Sequence, residues 1–132
     1  MQISEFIATL PSERQQLLTS IHEIIRREDT TVKATVGPMM GKEMILYNAS
    51  GTFKYGLAST KAYMSLHAMP IYMDPTLHDK YKTLFKDASL QKGCINFKNE
   101  AEMPLTIVGQ FIKECAKVDI VAILENRKKK TK

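Results

Sequence analysis

Met44-Ile45-Leu46-Tyr47-Asn48-Ala49-Ser50-Gly51-Thr52-Phe53-Lys54-Tyr55-Gly56-Leu57-Ala58-Ser59-Thr60-Lys61-Ala62-Tyr63-Met64-Ser65-Leu66-His67 is the stretch that decides the fold. Three short runs rich in aromatic and aliphatic residues, 44–47, 53–57 and 63–67, read as strands. The segments between them, Asn48–Gly51 and Thr60–Ala62, are short enough for hairpins, so the strands pair antiparallel. Side chains alternate along a strand, which groups Phe53, Tyr55 and Leu57 on one face and Met64 and Leu66 on one face of the next. If those faces meet a helical layer, Lys54, Tyr63, Ser65 and His67 point the other way.

Upstream, Thr31–Val36 is rich in β-branched residues, and Gly37-Pro38 is expected to end it. Before it, Ile3–Leu10 reads as a short helix with Ser4 as its cap and Pro11 as its stop. Ser12 followed at three residues by Gln15 is a capping-box pattern. The helix it opens sets Leu17, Leu18, Ile21, Ile24 and Ile25 on one face at helical spacing. Downstream, Asp74-Pro75 starts a helix striped by Leu77, Tyr81, Leu84 and Phe85. Gly93–Phe97 is a further strand. Pro104 opens a last helical region carrying Leu105, Val108, Ile112 and Cys115, with a break expected near Asp119 before Ile120–Leu124. The pattern is α+β: an antiparallel sheet of four to six strands packed against N- and C-terminal helices, all in one domain over residues 1–132.

The chain has 132 residues, 44% of them hydrophobic and 25% charged, as in an ordinary soluble domain. No apolar run approaches the ~20 residues of a membrane span, so no membrane partner is expected. The start is neither basic nor followed by a long apolar run, as a signal peptide would be. Two cysteines, Cys94 and Cys115, are too few for a disulfide scaffold. A cytoplasmic location and two free thiols follow as expectations.

The net charge of +5 is located in one place. Five of the nineteen basic residues lie in the tail 127–132, which leaves the rest of the chain with fourteen basic and fourteen acidic residues. With no aromatic platform beside those lysines, nucleic acid is not an expected partner.

No nucleotide-binding loop or nucleophile elbow is present, and no two histidines stand at metal-ligand spacing. No catalytic residue can be assigned. His22 and His78 read as helix-surface residues, Cys94 and Cys115 as structural thiols, and the eight methionines chiefly as core filler. The most suggestive set is the outward row Tyr63, Ser65 and His67, with Lys54 and Glu43 as neighbours. A phenol, a hydroxyl, an imidazole and an ammonium at two-residue spacing suit a small molecule or anion.

The order of these elements, and above all Lys92-Gly93-Cys94-Ile95-Asn96-Phe97-Lys98 running on to Pro104-Leu105, resembles the YdhG-like domain of unknown function. That family belongs to the YjbR/CyaY-like superfamily, and the likeness spans roughly residues 2–118. It departs at Val36-Gly37-Pro38-Met39-Met40, where many members carry a Tyr-Gly-Met-Pro-like turn followed by an aromatic. The resemblance implies a frataxin-like fold and no established reaction. It also implies iron as a cargo, with iron–sulfur cluster or haem assembly proteins as partners. A frataxin-like ridge on the long helix would draw on Glu13, Glu23, Glu28 and Asp29, interleaved here with Arg14, Arg26 and Arg27. Among these the adjacent Glu28 and Asp29 are the expected weak iron ligands. A small-molecule or anion-binding domain, enzymatic or not, that uses the sheet face is the alternative.

Overall fold

The computed structural model describes residues 1–130, with side chains through residue 126, so the basic side chains of the 127–132 tail lie outside the described residues. Two helices, α1 (Ile3–Ala8) and α2 (Ser12–Glu28), precede a four-stranded meander: β1 (Val32–Met39), β2 (Lys42–Ala49), β3 (Thr52–Ser59) and β4 (Met64–Ala68). Then come α3 (Met69–Met73), α4 (Pro75–Leu84), β5 (Ser89–Leu90), β6 (Cys94–Phe97), α5 (Leu105–Ala116) and α6 (Ile120–Lys130). The six strands form one antiparallel sheet in the order β1-β2-β3-β4-β6-β5. This is the α+β class expected from the sequence.

The meander closes through two tight turns. Met40-Gly41 and Ser50-Gly51 each place both residues at positive φ, the pattern of two-residue turns whose twist matches the strands they join. Contrary to expectation, Gly37-Pro38 does not end β1, which continues to Met39. Proline is tolerated there because β1 is an edge strand, and a missing N–H on its outer side breaks no ladder.

The helix starts follow local chemistry, with two departures. Asp74 Oδ1 accepts from the backbone N–H groups of Thr76 and Leu77 and so caps α4. The break near Asp119 is present, and Asp119 Oδ1 accepts from Ala122 N at the start of α6. In α1, however, Glu5 reaches back to the N–H of Gln2 rather than Ser4 acting as cap. In α2 Pro11 occupies the cap position, and Gln15 donates to Leu10 O instead of closing a box with Ser12.

One face of the sheet carries the core. Ile45 and Tyr47, Tyr55 and Leu57, Met64 and Leu66, and Ile95 and Phe97 pack with Leu18, Ile21 and Ile25 of α2 and Val108, Phe111 and Ile112 of α5. Arg14 of α2 ties this layer to the β3–β4 turn, donating to Ser59 Oγ at 2.8 Å and to the carbonyl of Thr60.

The register changes at one place. Tyr47 pairs with Tyr55, but Asn48 pairs with Phe53, which leaves Lys54 as the extra residue of a β-bulge. A bulge sets two successive side chains on the same side of a strand. Lys54 and Tyr55 therefore both enter the helical layer, where they converge on Asp29. The ring of Phe53 is turned to the opposite face, over Gly56.

Candidate functional site

The second face of the sheet is open. Alternation places Met39, Lys42, Met44, Ala58, Ser65, His67, Cys94 and Asn96 on it. These side chains, with Met40, Thr60 and Tyr63, line a shallow cavity of about 300 Å³. Its floor follows from strand register. Ser89, Asn96, Ser65 and Ala58 form one row across the sheet, which Met44 and Gly37 continue one step beyond the Ile45–Leu57 pair, and Cys94, His67, Gly56 and Leu46 form the next. A run of Gly, Ala and Ser at the centre leaves room above the strands. Met44 is 2% and Ser65 4% exposed although no helix among the described residues lines the cavity over them. Methionine bends to fill part of that room: its Sδ would stand 2.8 Å from a Cβ built on Gly56.

Hydrogen bonding fixes part of the polar set. Ser65 Oγ and Asn96 Oδ1 are 2.5 Å apart across β4 and β6, with the hydroxyl donating. His67 lies opposite Cys94 in the same ladder. Burial pushes the imidazole of His67 below its ordinary range and the thiol of Cys94 above its own. At neutral pH the pair is a neutral imidazole beside a thiol, not the thiolate–imidazolium couple of a cysteine nucleophile.

The structure brings Tyr63, Ser65 and His67 to one cavity. It does not bring Lys54 or Glu43 there. Lys54 is carried to the opposite face by the bulge and lies 2.8 Å from Asp29. Glu43 precedes Met44 in an unshifted ladder and so falls on the Ile45–Tyr47 side, exposed at the sheet's end. The ammonium that does line the cavity is Lys42, exposed at its rim.

Glu28 and Asp29 do not form a joint metal site. Asp29 is fully buried, and its carboxylate accepts from Tyr55 OH at 2.7 Å and from Thr31 N at 3.0 Å, besides its ion pair with Lys54. Glu28 pairs instead with the exposed Arg27. Among the described residues no group of three or more His, Cys, Asp or Glu side chains is placed to hold a metal ion.

Single-residue reading missed Asn96, Cys94, Met44 and Lys42 as neighbours of the Tyr63–His67 row. The signal that finds them is register, because β6 enters the sheet beside β4 from thirty residues further along the chain.

A second cavity, about 590 Å³, lies between α1, α2 and β1. Its walls include Ile3, Ile7, Arg26 and Val36, and His22 stands at its base. His22 is not a surface residue: it is buried, with Nδ1 2.6 Å from Tyr47 OH. Burial and the nearby Arg26 hold its imidazole below the ordinary range. No helix among the described residues is long and apolar enough to cross a membrane. No family model, curated protein or solved structure matches this chain.

Proposed function

We propose that this chain is a non-enzymatic binding domain whose ligand occupies the open face of the sheet, between the Met39–Met44 hairpin and strands β4 and β6. One observation carries the reading. An uncovered antiparallel face is ordinarily polar and solvated, whereas here Met44, Ala58 and Ser65 are buried in a cavity that no helix among the described residues lines. An apolar floor ringed by a few convergent polar groups is the usual form of a small-ligand site. The iron cargo implied by resemblance to frataxin-like domains would require exposed carboxylates. Of the two residues expected to supply them, Asp29 spends its oxygens on Lys54, Tyr55 and Thr31, and Glu28 is paired with Arg27.

A thermal-shift screen of small polar metabolites tests this reading, since a ligand at a hundred times its Kd adds about 2.7 kcal/mol to stability. Hits should move the amide resonances of Ser65, His67 and Asn96 and should weaken in Ala58→Leu, which fills the floor. Hits that instead map to His22 and Val36, and that Ala58→Leu leaves unchanged, would move the site to the second cavity.

A further inference from the structure

The cavity on the open face holds an unusual concentration of soft donor atoms, and their placement follows from the ladder. Ala68 N donates to Gly93 O at 2.8 Å, which makes 68/93 a hydrogen-bonded pair. The adjoining pair, His67 opposite Cys94, is then of the non-hydrogen-bonded kind, whose side chains stand closest, with Cβ atoms about 4.5–5.5 Å apart. The next pair of that kind, Ser65 and Asn96, has its side chains in direct contact at 2.5 Å. On the other side of His67 its ladder partner is Gly56. The space of the absent side chain there is shared by the Phe53 ring and by Met44, whose sulfur sits 2.8 Å from where a Cβ would be. A thiol, an imidazole and a thioether thus lie in one row across three adjacent strands. The thioethers of Met39 and Met40 line the same cavity.

The geometry points to a binding site for a soft monovalent metal ion, copper(I) or its redox-inert counterpart silver(I), held by Cys94 Sγ and a ring nitrogen of His67, with Met44 Sδ as third ligand. This assignment rests on the open-face reading and names the ligand class for it. Thiolate and thioether donors select copper(I) over harder ions, and imidazole suits it as well. Charge points the same way. No carboxylate lines the cavity, and its one charged lining residue, Lys42, is exposed at the rim. A monovalent ion bound to one thiolate leaves a neutral centre, whereas zinc(II) or iron(II) would leave a net positive charge on a largely apolar floor. Binding involves no change of oxidation state: the metal–sulfur bond forms as the Cys94 S–H bond breaks, and the proton passes to solvent.

The test is an anaerobic titration of the full chain with copper(I), kept reduced by ascorbate and set in competition with a colorimetric copper(I) chelator, then repeated with silver(I). The expected result is one equivalent per chain, accompanied by thiolate-to-copper absorption in the ultraviolet. Cys94→Ala should abolish it, His67→Ala should weaken it about tenfold or more, and Cys115→Ala should leave it intact. Alkylating the native protein blocks Cys94 without a substitution, because Cys115 is fully buried, and should abolish binding too. No binding by the wild-type chain, binding that survives loss or alkylation of Cys94, or equal affinity for zinc(II) would each overturn the assignment. If metal fails while screening hits still map to Ser65 and Asn96, the metal is wrong and the open-face site stands. If neither binds there, both readings fall.

Discussion

Lys54 Nζ lies 2.8 Å from Asp29 Oδ2, and the two side chains are 2% and 0% exposed. The pair joins the end of α2 to the middle of the meander, across the β-bulge that carries Lys54 inward. Tyr55 OH and the hydroxyl and N–H of Thr31 complete the carboxylate's hydrogen bonds, and neither buried charge is left without a partner. Two charges taken from water repay their desolvation only when the geometry is good and further hydrogen bonds reach them, as they do at Asp29.

Removing one partner should therefore cost far more than removing both. Lys54→Met leaves an uncompensated buried carboxylate and is expected to destabilise the domain by about 3–5 kcal/mol. Adding Asp29→Leu to that variant should recover a large part of the loss, since apolar replacements of similar size are often neutral. Urea unfolding of the two single variants and the double variant measures this. Equal losses in the single and double variants would show that the pair carries no coupling.

Acid should act in two stages. Burial and Arg26 lower the pKa of His22, and burial lowers that of His67, so the native state favours the neutral rings. A lowered folded pKa gives stability that is present above the unfolded value, near 6.5, and lost as pH falls through the folded one. For Asp29, burial works upward, but hydrogen bonds from Lys54, Thr31 and Tyr55 outweigh it, and the folded pKa lies below the ordinary 3.8. Its contribution is present above that value and lost below it. Urea midpoints should thus begin to decline as pH falls below about 6.5, and a second decline should set in below about pH 4. His22→Gln should flatten part of the first decline and leave the second.

How far the fold was legible depended on period. The α2 stripe Leu17–Ile25 and the alternation of β4 survive in the structure because packing against one layer rewards a single face. Lys54 shows where that reasoning stops. A bulge shifts the period by one residue, and nothing in Thr52-Phe53-Lys54-Tyr55 marks it, since it is stabilised by Asp29 twenty-five residues away. Likewise Ser65 and His67 were legible as an outward row, but Cys94 and Asn96 joined them only through the β4–β6 ladder. The two-residue strand β5 and the single-turn helix α3 are too short for a periodic signal, and tertiary packing alone defines them.

The two thiols should separate by accessibility. Both are free; Cys94 is half-buried on the open face and Cys115 is fully buried in α5. Burial raises both pKa values, so neither is a fast nucleophile. A disulfide reagent at pH 8 should titrate one thiol slowly in the native protein and two at once in urea. Peptide mapping should place the native label on Cys94; a label on Cys115 would mean that α5 opens more readily than its packing indicates.

Gly56 tests the floor of the open face directly. A Cβ there would stand 2.8 Å from Met44 Sδ and 3.0 Å from the Phe53 ring, so something must move. Overpacking of this kind costs about 1–3 kcal/mol, and the flexible thioether is the part able to yield. Gly56→Ala should therefore destabilise the wild-type chain by roughly 1–2 kcal/mol. In a Met44→Ala background the sulfur is gone and only the aromatic contact remains, so the same substitution should cost distinctly less. A double-mutant cycle in urea reads the difference as a coupling energy. A coupling near zero would show that Met44 does not occupy the space above Gly56. The row from Cys94 through His67 to that sulfur would then lose its third member.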